Sequence, residues 1–171
     1  NRGFAYLQKG QYDDAIKDFT MAIALNATDA WTYNSRGFAQ LQKGQYDKAI
    51  IDFSRAIELN PDDAEAYYNR SKAYFDKQQY DETISDATRA IELNPDIAWA
   101  YANRGKAYLM QGQNELAISD LTRFIRVNPK DADAYYNRGK AYADQGLNAY
   151  AISDYTRAIQ INPNDAEAYY N

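Results

Sequence analysis

The sequence predicts an all-α protein of stacked, paired helices, and three observations carry that prediction. The first is a period: Pro61, Pro95, Pro129 and Pro163 stand 34 residues apart, each closing the same phrase, from Leu59-Asn60-Pro61 to Ile161-Asn162-Pro163. The second is that two helical patterns alternate with two breaks inside every period. The third is a set of small residues in step with it, with Gly3, Gly37, Gly105 and Gly139 on one side and Ala56, Ala90 and Ala158 on the other. Self-similarity of this length marks units that touch only their neighbours and cannot bury a core alone.

Each unit is numbered so that Ala30, Ala64, Ala98 and Ala132 take position 1. Asp63 and Asp131 precede the first helix as N-cap candidates, and Asp29 and Asp165 repeat the signal. That helix is predicted to run about 14 residues to Gly10, Gly44, Gly112 or Gly146, which can take the left-handed backbone of a helix C-terminus. Gln78 is the exception. The second helix, for example 46–59, places Ala49, Phe53, Ala56 and Ile57 on one stripe, and the following Pro stops it. Gly at position 8 and Ala at positions 20 and 27 let helices approach closely while Tyr fills the gaps. Two units depart, with Thr83 and Ala87 in one and Phe124 in the next, and looser packing is expected around Ala87. The predicted layout is one array over 1–171. Its repeats cover approximately 1–29 (lacking a first helical turn), 30–63, 64–97, 98–131 and 132–165, with a stub at 166–171.

Composition narrows the function classes. With 19 Lys and Arg against 24 Asp and Glu, the net charge of −5 repels a phosphate backbone, so nucleic acid is not expected as a partner. No stretch approaches a membrane span and the N-terminus has no signal-peptide layout, so no membrane partner is expected and a soluble, cytoplasmic protein is the default. Cys and His are both absent, which removes thiol nucleophiles, zinc sites and imidazole bases. No Ser can form a triad without His, no Gly-rich phosphate loop follows a strand, and Asp62 with Asp63 lacks the spacing of a calcium loop. The expectation is therefore no enzyme, no cofactor, no catalytic residue and no metal site. Asn26-Ala27-Thr28 is a formal glycosylation sequon.

The pattern Tyr67-x-Asn69-Arg70-x-x-Ala73-Tyr74, followed by Tyr80, Ile84, Ala90 and Pro95, resembles the tetratricopeptide-repeat family, and it recurs along the whole chain. The resemblance implies antiparallel helix pairs stacked into a right-handed superhelix, with a concave groove lined by the first helices that binds an extended peptide or partner protein. Positions 2, 5, 6, 9, 12 and 13 would then face the groove. Position 6 is Asn at Asn1, Asn69, Asn103, Asn137 and Asn171, with Ser35 the departure. An amide offers both donor and acceptor, so such a row could pair with a peptide backbone, or only cap and meet water. Position 9 changes from Phe4 and Phe38 to Lys72, Lys106 and Lys140, which suits an acidic peptide or a C-terminal carboxylate. Against this, Lys72 with Asp76 and Lys140 with Asp144 stand four apart and can pair along the helix, whereas Lys106 has no such partner. Tyr68 and Tyr136 at position 5, Phe75 at position 12, and Trp31 and Trp99 at position 2 are aromatic anchor candidates or packing residues. The family's carboxylate clamp for chaperone tails wants Lys at position 5 and Asn at position 9, and neither is found.

Arg at position 7 (Arg2, Arg36, Arg70, Arg104, Arg138) and Asp at position 23 (Asp18, Asp52, Asp86, Asp120, Asp154) occur in all five units and read as a structural salt bridge. Arg55, Arg89, Arg123 and Arg157 stand three residues after the same Asp and compete for it. The chain starts and stops inside a unit, with complementary ends and no polar capping helix. Head-to-tail self-association and poor solubility are therefore expected. Peptide binding ranks first as the function, a self-assembling scaffold second, and a targeting array of a larger enzyme third.

Overall fold

The computed structural model describes residues 2–163 and divides into two compact units, one through Asn94 and one from Pro95. Among the described residues every regular element is a helix. The first unit holds α1 (Arg2–Gln8), α2 (Tyr12–Leu25), α3 (Ala30–Gln42), α4 (Tyr46–Leu59), α5 (Ala64–Asp76) and α6 (Tyr80–Leu93). The second holds α7 (Ala98–Met110), α8 (Asn114–Val127), α9 (Ala132–Asp144) and α10 (Asn148–Ile161). Within each unit, consecutive helices pack as antiparallel pairs, and α3 touches α5 as α7 touches α9. Residues 164–171 and Asn1 lie outside the described residues, and with them the Asp165 cap, two of the asparagines and the 166–171 stub.

Chain breaks follow local chemistry. The Asp63 carboxylate accepts from the backbone N–H of Glu65 and Ala66 at 3.0 and 3.2 Å, and Asp131 accepts from Ala134 N–H at 2.8 Å. Asp29 does not cap in this way, because Thr32 offers its hydroxyl to that carboxylate instead. The first helices of the full repeats run 13 residues. Their last turns close through left-handed residues, with Gly44 at φ 69° and Gly112 at φ 72°. Gln78 takes the same conformation at φ 61° without glycine's freedom, because Gln79 N–H must reach the Tyr74 carbonyl at 2.9 Å just as Gln45 N–H reaches Gln40.

The core is a matching of volumes across each pair. Gly37 lies under the Phe53 ring so closely that a Cβ there would sit 2.8 Å from Cε1, and Gly139 stands in the same relation to Tyr155. In α5–α6 the relation is inverted. Ser71 replaces the glycine, Ala87 replaces the ring, Thr83 replaces Ala, and all three are fully buried. The added hydroxyls are satisfied by carbonyls, Ser71 donating to Tyr68 at 2.7 Å and Thr83 to Gln79 at 2.8 Å. Looser packing is expected around Ala87, yet Ala87 has no exposed surface, and Ser71 on the partner helix with Thr83 one turn along its own returns part of the side-chain volume that the missing ring takes away. In α7–α8, Phe124 occupies a position usually held by Ala. It clusters with Ala102, which stands where α5 and α9 carry Tyr68 and Tyr136.

Candidate functional site

In each full repeat the arginine at position 7 donates through two nitrogens to both oxygens of the aspartate at position 23. The distances are 2.7 Å twice for Arg36 and Asp52, and 2.6 and 2.8 Å for Arg70 and Asp86. Arg2–Asp18, Arg104–Asp120 and Arg138–Asp154 repeat the geometry, so the pair is the structural salt bridge that its recurrence predicts. The hydrogen bond to Asp52 holds the Arg36 guanidinium above its ordinary value, as Asp154 does for Arg138, so both stay charged although partly buried. A third nitrogen reaches back to a hydroxyl on the preceding second helix: Arg36 to Thr20 at 3.1 Å, Arg70 to Ser54 at 2.9 Å and Arg138 to Thr122 at 3.0 Å. Tyrosines at positions 4 and 11 flank the same cation, as Tyr67 and Tyr74 do Arg70 at 5.7 and 5.9 Å. This second use of the arginine was missed in the sequence, although Thr20, Ser54, Thr88, Thr122 and Thr156 stand in step and carried the signal. Arg55 and Arg89 do not compete for the aspartate, because Glu58 and Glu92 take them at 2.8 and 3.1 Å.

On the first-helix face of the first unit, two rings are left open. Trp31 is 44% exposed and Phe4 40%, with their centroids 5.9 Å apart, and Trp31 also meets the buried Phe19 edge-on. Trp31 therefore packs on the preceding pair and remains accessible. Phe38 and Phe75 are half-buried, the latter against Tyr80 at 5.7 Å. Tyr68 is half-buried, and burial, then the Glu65 charge, pushes its phenol up. The Asn69 amide N–H donates to Asn34 Oδ1 at 3.1 Å, and both side chains are buried. Lys72 makes no ion pair among the described residues, so the pairing along the helix with Asp76 does not form.

In the second unit Trp99 is 51% exposed and stands 4.8 Å from Phe124. Asn103 is half-buried, and Tyr136 is half-buried 5.8 Å from Tyr155. Asn137 donates to the carbonyl and carboxylate of Asp133 at 2.7 and 2.9 Å. Lys106 does have a partner after all. It pairs with Asp133 of α9, a contact across repeats that spacing along one helix cannot show. Lys140 makes no ion pair among the described residues, Asp144 included.

Comparison with known proteins agrees with this architecture. Profiles described as TPR repeat match residues 3–44, 40–78 and 71–112, and a tetratricopeptide-repeat profile matches 102–166. The chain belongs to the tetratricopeptide-repeat (TPR) family. Among solved structures this TPR chain is similar to MamA, at 27% identity and a TM-score of 0.85 over 98% of both chains. It is also similar to YrrB, a TPR protein with an unusual peptide-binding site, at 23% identity and a TM-score of 0.83, covering 98% of this chain and 87% of that one. TTC0263, a thermophilic TPR protein of Thermus thermophilus, matches at 20% identity and a TM-score of 0.73, over 98% of this chain and 92% of that one. A search of curated protein sequences returns no match. The TPR fold is a protein–protein interaction module, and none of the described helices is long and apolar enough to cross a membrane.

Proposed function

We propose that the first-helix face of the unit ending at Asn94 binds an extended peptide that carries an apolar side chain and a carboxylate. The observation that carries this is the open aromatic pair: Trp31 and Phe4 leave 44% and 40% of their surface in water. Large rigid aromatics held on a scaffold are the groups that concentrate binding energy at interfaces. Lys72, without an acidic partner among the described residues, supplies a cation for the carboxylate, and Phe38, Tyr68 and Phe75 provide apolar wall. Asn69 is buried and donates one of its amide hydrogens to Asn34, and in this reading it fixes the helix face rather than forming a ladder to the ligand. Lys140 repeats the cation in the second unit, whereas the charge of Lys106 is met by Asp133. Peptide binding is a use to which YrrB, with the same fold, is put.

Because an extended peptide must be ordered on binding, the expected affinity is micromolar, about −7 to −8 kcal/mol. Titration of short acidic peptides containing Leu or Phe, read by tryptophan emission and by calorimetry, tests it. Trp31→Ala should weaken binding about tenfold or more, and Lys72→Glu should remove the preference for acidic over neutral peptides. Equal affinities in the parent chain and both variants would sink the reading.

A further inference from the structure

The repeat reverses its charge at one place on the second helices. Position 29 holds Glu58 in α4 and Glu92 in α6, and each accepts from the arginine one turn before it, Arg55 or Arg89. In α8 the same position is Arg126. Arg123 has therefore lost its carboxylate and gained a like charge three residues away, an arrangement that costs stability on a helix. It folds inward. Its guanidinium lies 4.3 Å from the centre of the Tyr101 ring, and Nη2 donates to the Pro95 carbonyl at 3.3 Å.

A cleft of about 430 Å³ opens beside it, walled by Ser119 and Thr122 and reached by Arg123 and Arg126. The deeper Arg104 contributes no net charge, since Asp120 holds it at 2.7 and 3.0 Å. Arg123 and Arg126 have no carboxylate partner among the described residues. Two uncompensated guanidiniums thus face one cleft in a chain of net charge −5. The Thr122 hydroxyl oxygen already accepts from Arg138, which leaves its own hydrogen free to donate. The negative end of the α8 dipole draws on Arg126, which lies in the last turn, and its influence fades within that turn, before Arg123.

We propose that this cleft binds a phosphate monoester, free or carried on a side chain of a partner protein. Two cations match a group that carries about −1.5 to −2 charges near neutral pH, whereas one carboxylate would leave a guanidinium unmatched. Guanidinium forks and hydroxyl donors suit its three acceptor oxygens. The structure contains its own control. The corresponding cleft of α9–α10 is also about 430 Å³ and keeps the Arg138–Asp154 pair, but there Arg157 donates to Gln160 at 3.2 Å and no second arginine stands beside it. The assignment uses none of the residues of the peptide face proposed above.

The test is a titration of the chain at constant ionic strength, followed by two-dimensional NMR. The probes are inorganic phosphate, a phosphoserine peptide and its unphosphorylated counterpart. Saturable shifts are expected at Ser119, Thr122 and the Arg123 and Arg126 side-chain N–H groups, with none at Arg157. Arg126→Glu restores the acid of the other repeats at an exposed site, and it should weaken phosphate binding at least tenfold with the remaining spectrum unchanged. A phosphoserine peptide at least tenfold tighter than inorganic phosphate assigns the group to a partner, and equal affinities assign a free anion. Shifts that do not saturate, that appear equally at the Arg157 cleft, or that persist in Arg126→Glu would overturn the proposal, as would equal binding of the unphosphorylated peptide.

Discussion

The helix pairs α3–α4 and α5–α6 share a backbone plan and solve its packing in opposite ways. The first places a ring, Phe53, over a glycine, Gly37, and the second places Ala87 over Ser71 with Thr83 filling in. Phe53, Ser71, Thr83 and Ala87 are all fully buried, so both arrangements exclude water from these side chains. The repeat therefore tolerates different residues at these three positions as long as each stays buried. Two further differences between these pairs bear on stability. Gln40 stands where α5 has Tyr74, and Gly44 stands where the turn after α5 has Gln78.

The volume exchange gives the largest effect. Phe53→Ala should cost about 3–5 kcal/mol, the ordinary consequence of emptying a fully buried aromatic site. Gly37→Ser alone should cost about 1–3 kcal/mol, because its Cβ would meet the Phe53 ring at 2.8 Å. The double variant carries two of the three residues that set α5–α6 apart and should be about 1–2 kcal/mol more stable than the two single costs added together, measured by urea unfolding. Strict additivity would show that the two pairs are not alternative solutions of one packing problem.

A smaller effect is expected at Gln40. Its Oε1 is buried without a hydrogen-bond partner among the described residues, and Arg36 is flanked there by Tyr33 alone. In α5 the tyrosine at the same position lies 5.9 Å from Arg70. Gln40→Tyr should remove the orphan acceptor and add the missing ring, raising stability by about 1 kcal/mol. A loss of stability would mean that the α3–α4 pair needs its amide. Smallest is the turn. Gln78 holds φ 61°, where a side chain is strained, so Gln78→Gly should stabilise by about 0.5–1 kcal/mol in the same assay. The reciprocal Gly44→Gln should cost a similar amount.

The sequence was legible wherever a contact repeats with the period. The helix starts at Tyr46 and Ala64, the buried stripe Ala49, Phe53, Ala56 and Ile57, and the Arg36–Asp52 bridge all follow from residues recurring in step. Reading one helix at a time fails where the partner lies on another helix. Lys106 looked unpaired because Asp133 is 27 residues away, and the Asn69 amide looked available because Asn34, which accepts from it, is 35 residues away. Spacing of three or four residues reports only neighbours on the same turn. Ala87 likewise is read in isolation from Ser71 and Thr83, which lie on two helices and are buried with it.

What the sequence determined by itself is the all-α fold and the membership of the TPR family. Both rest on local capping, stripes and turns that each 34-residue unit states anew, so that tertiary context has little to override. Which polar groups remain for a partner was decided only by the tertiary structure. An amide or a cation is available to a ligand only after the rest of the chain has taken what it can reach. That sorting separated Lys72 and Lys140 from Lys106, and left Arg123 beside Arg126 over an open cleft.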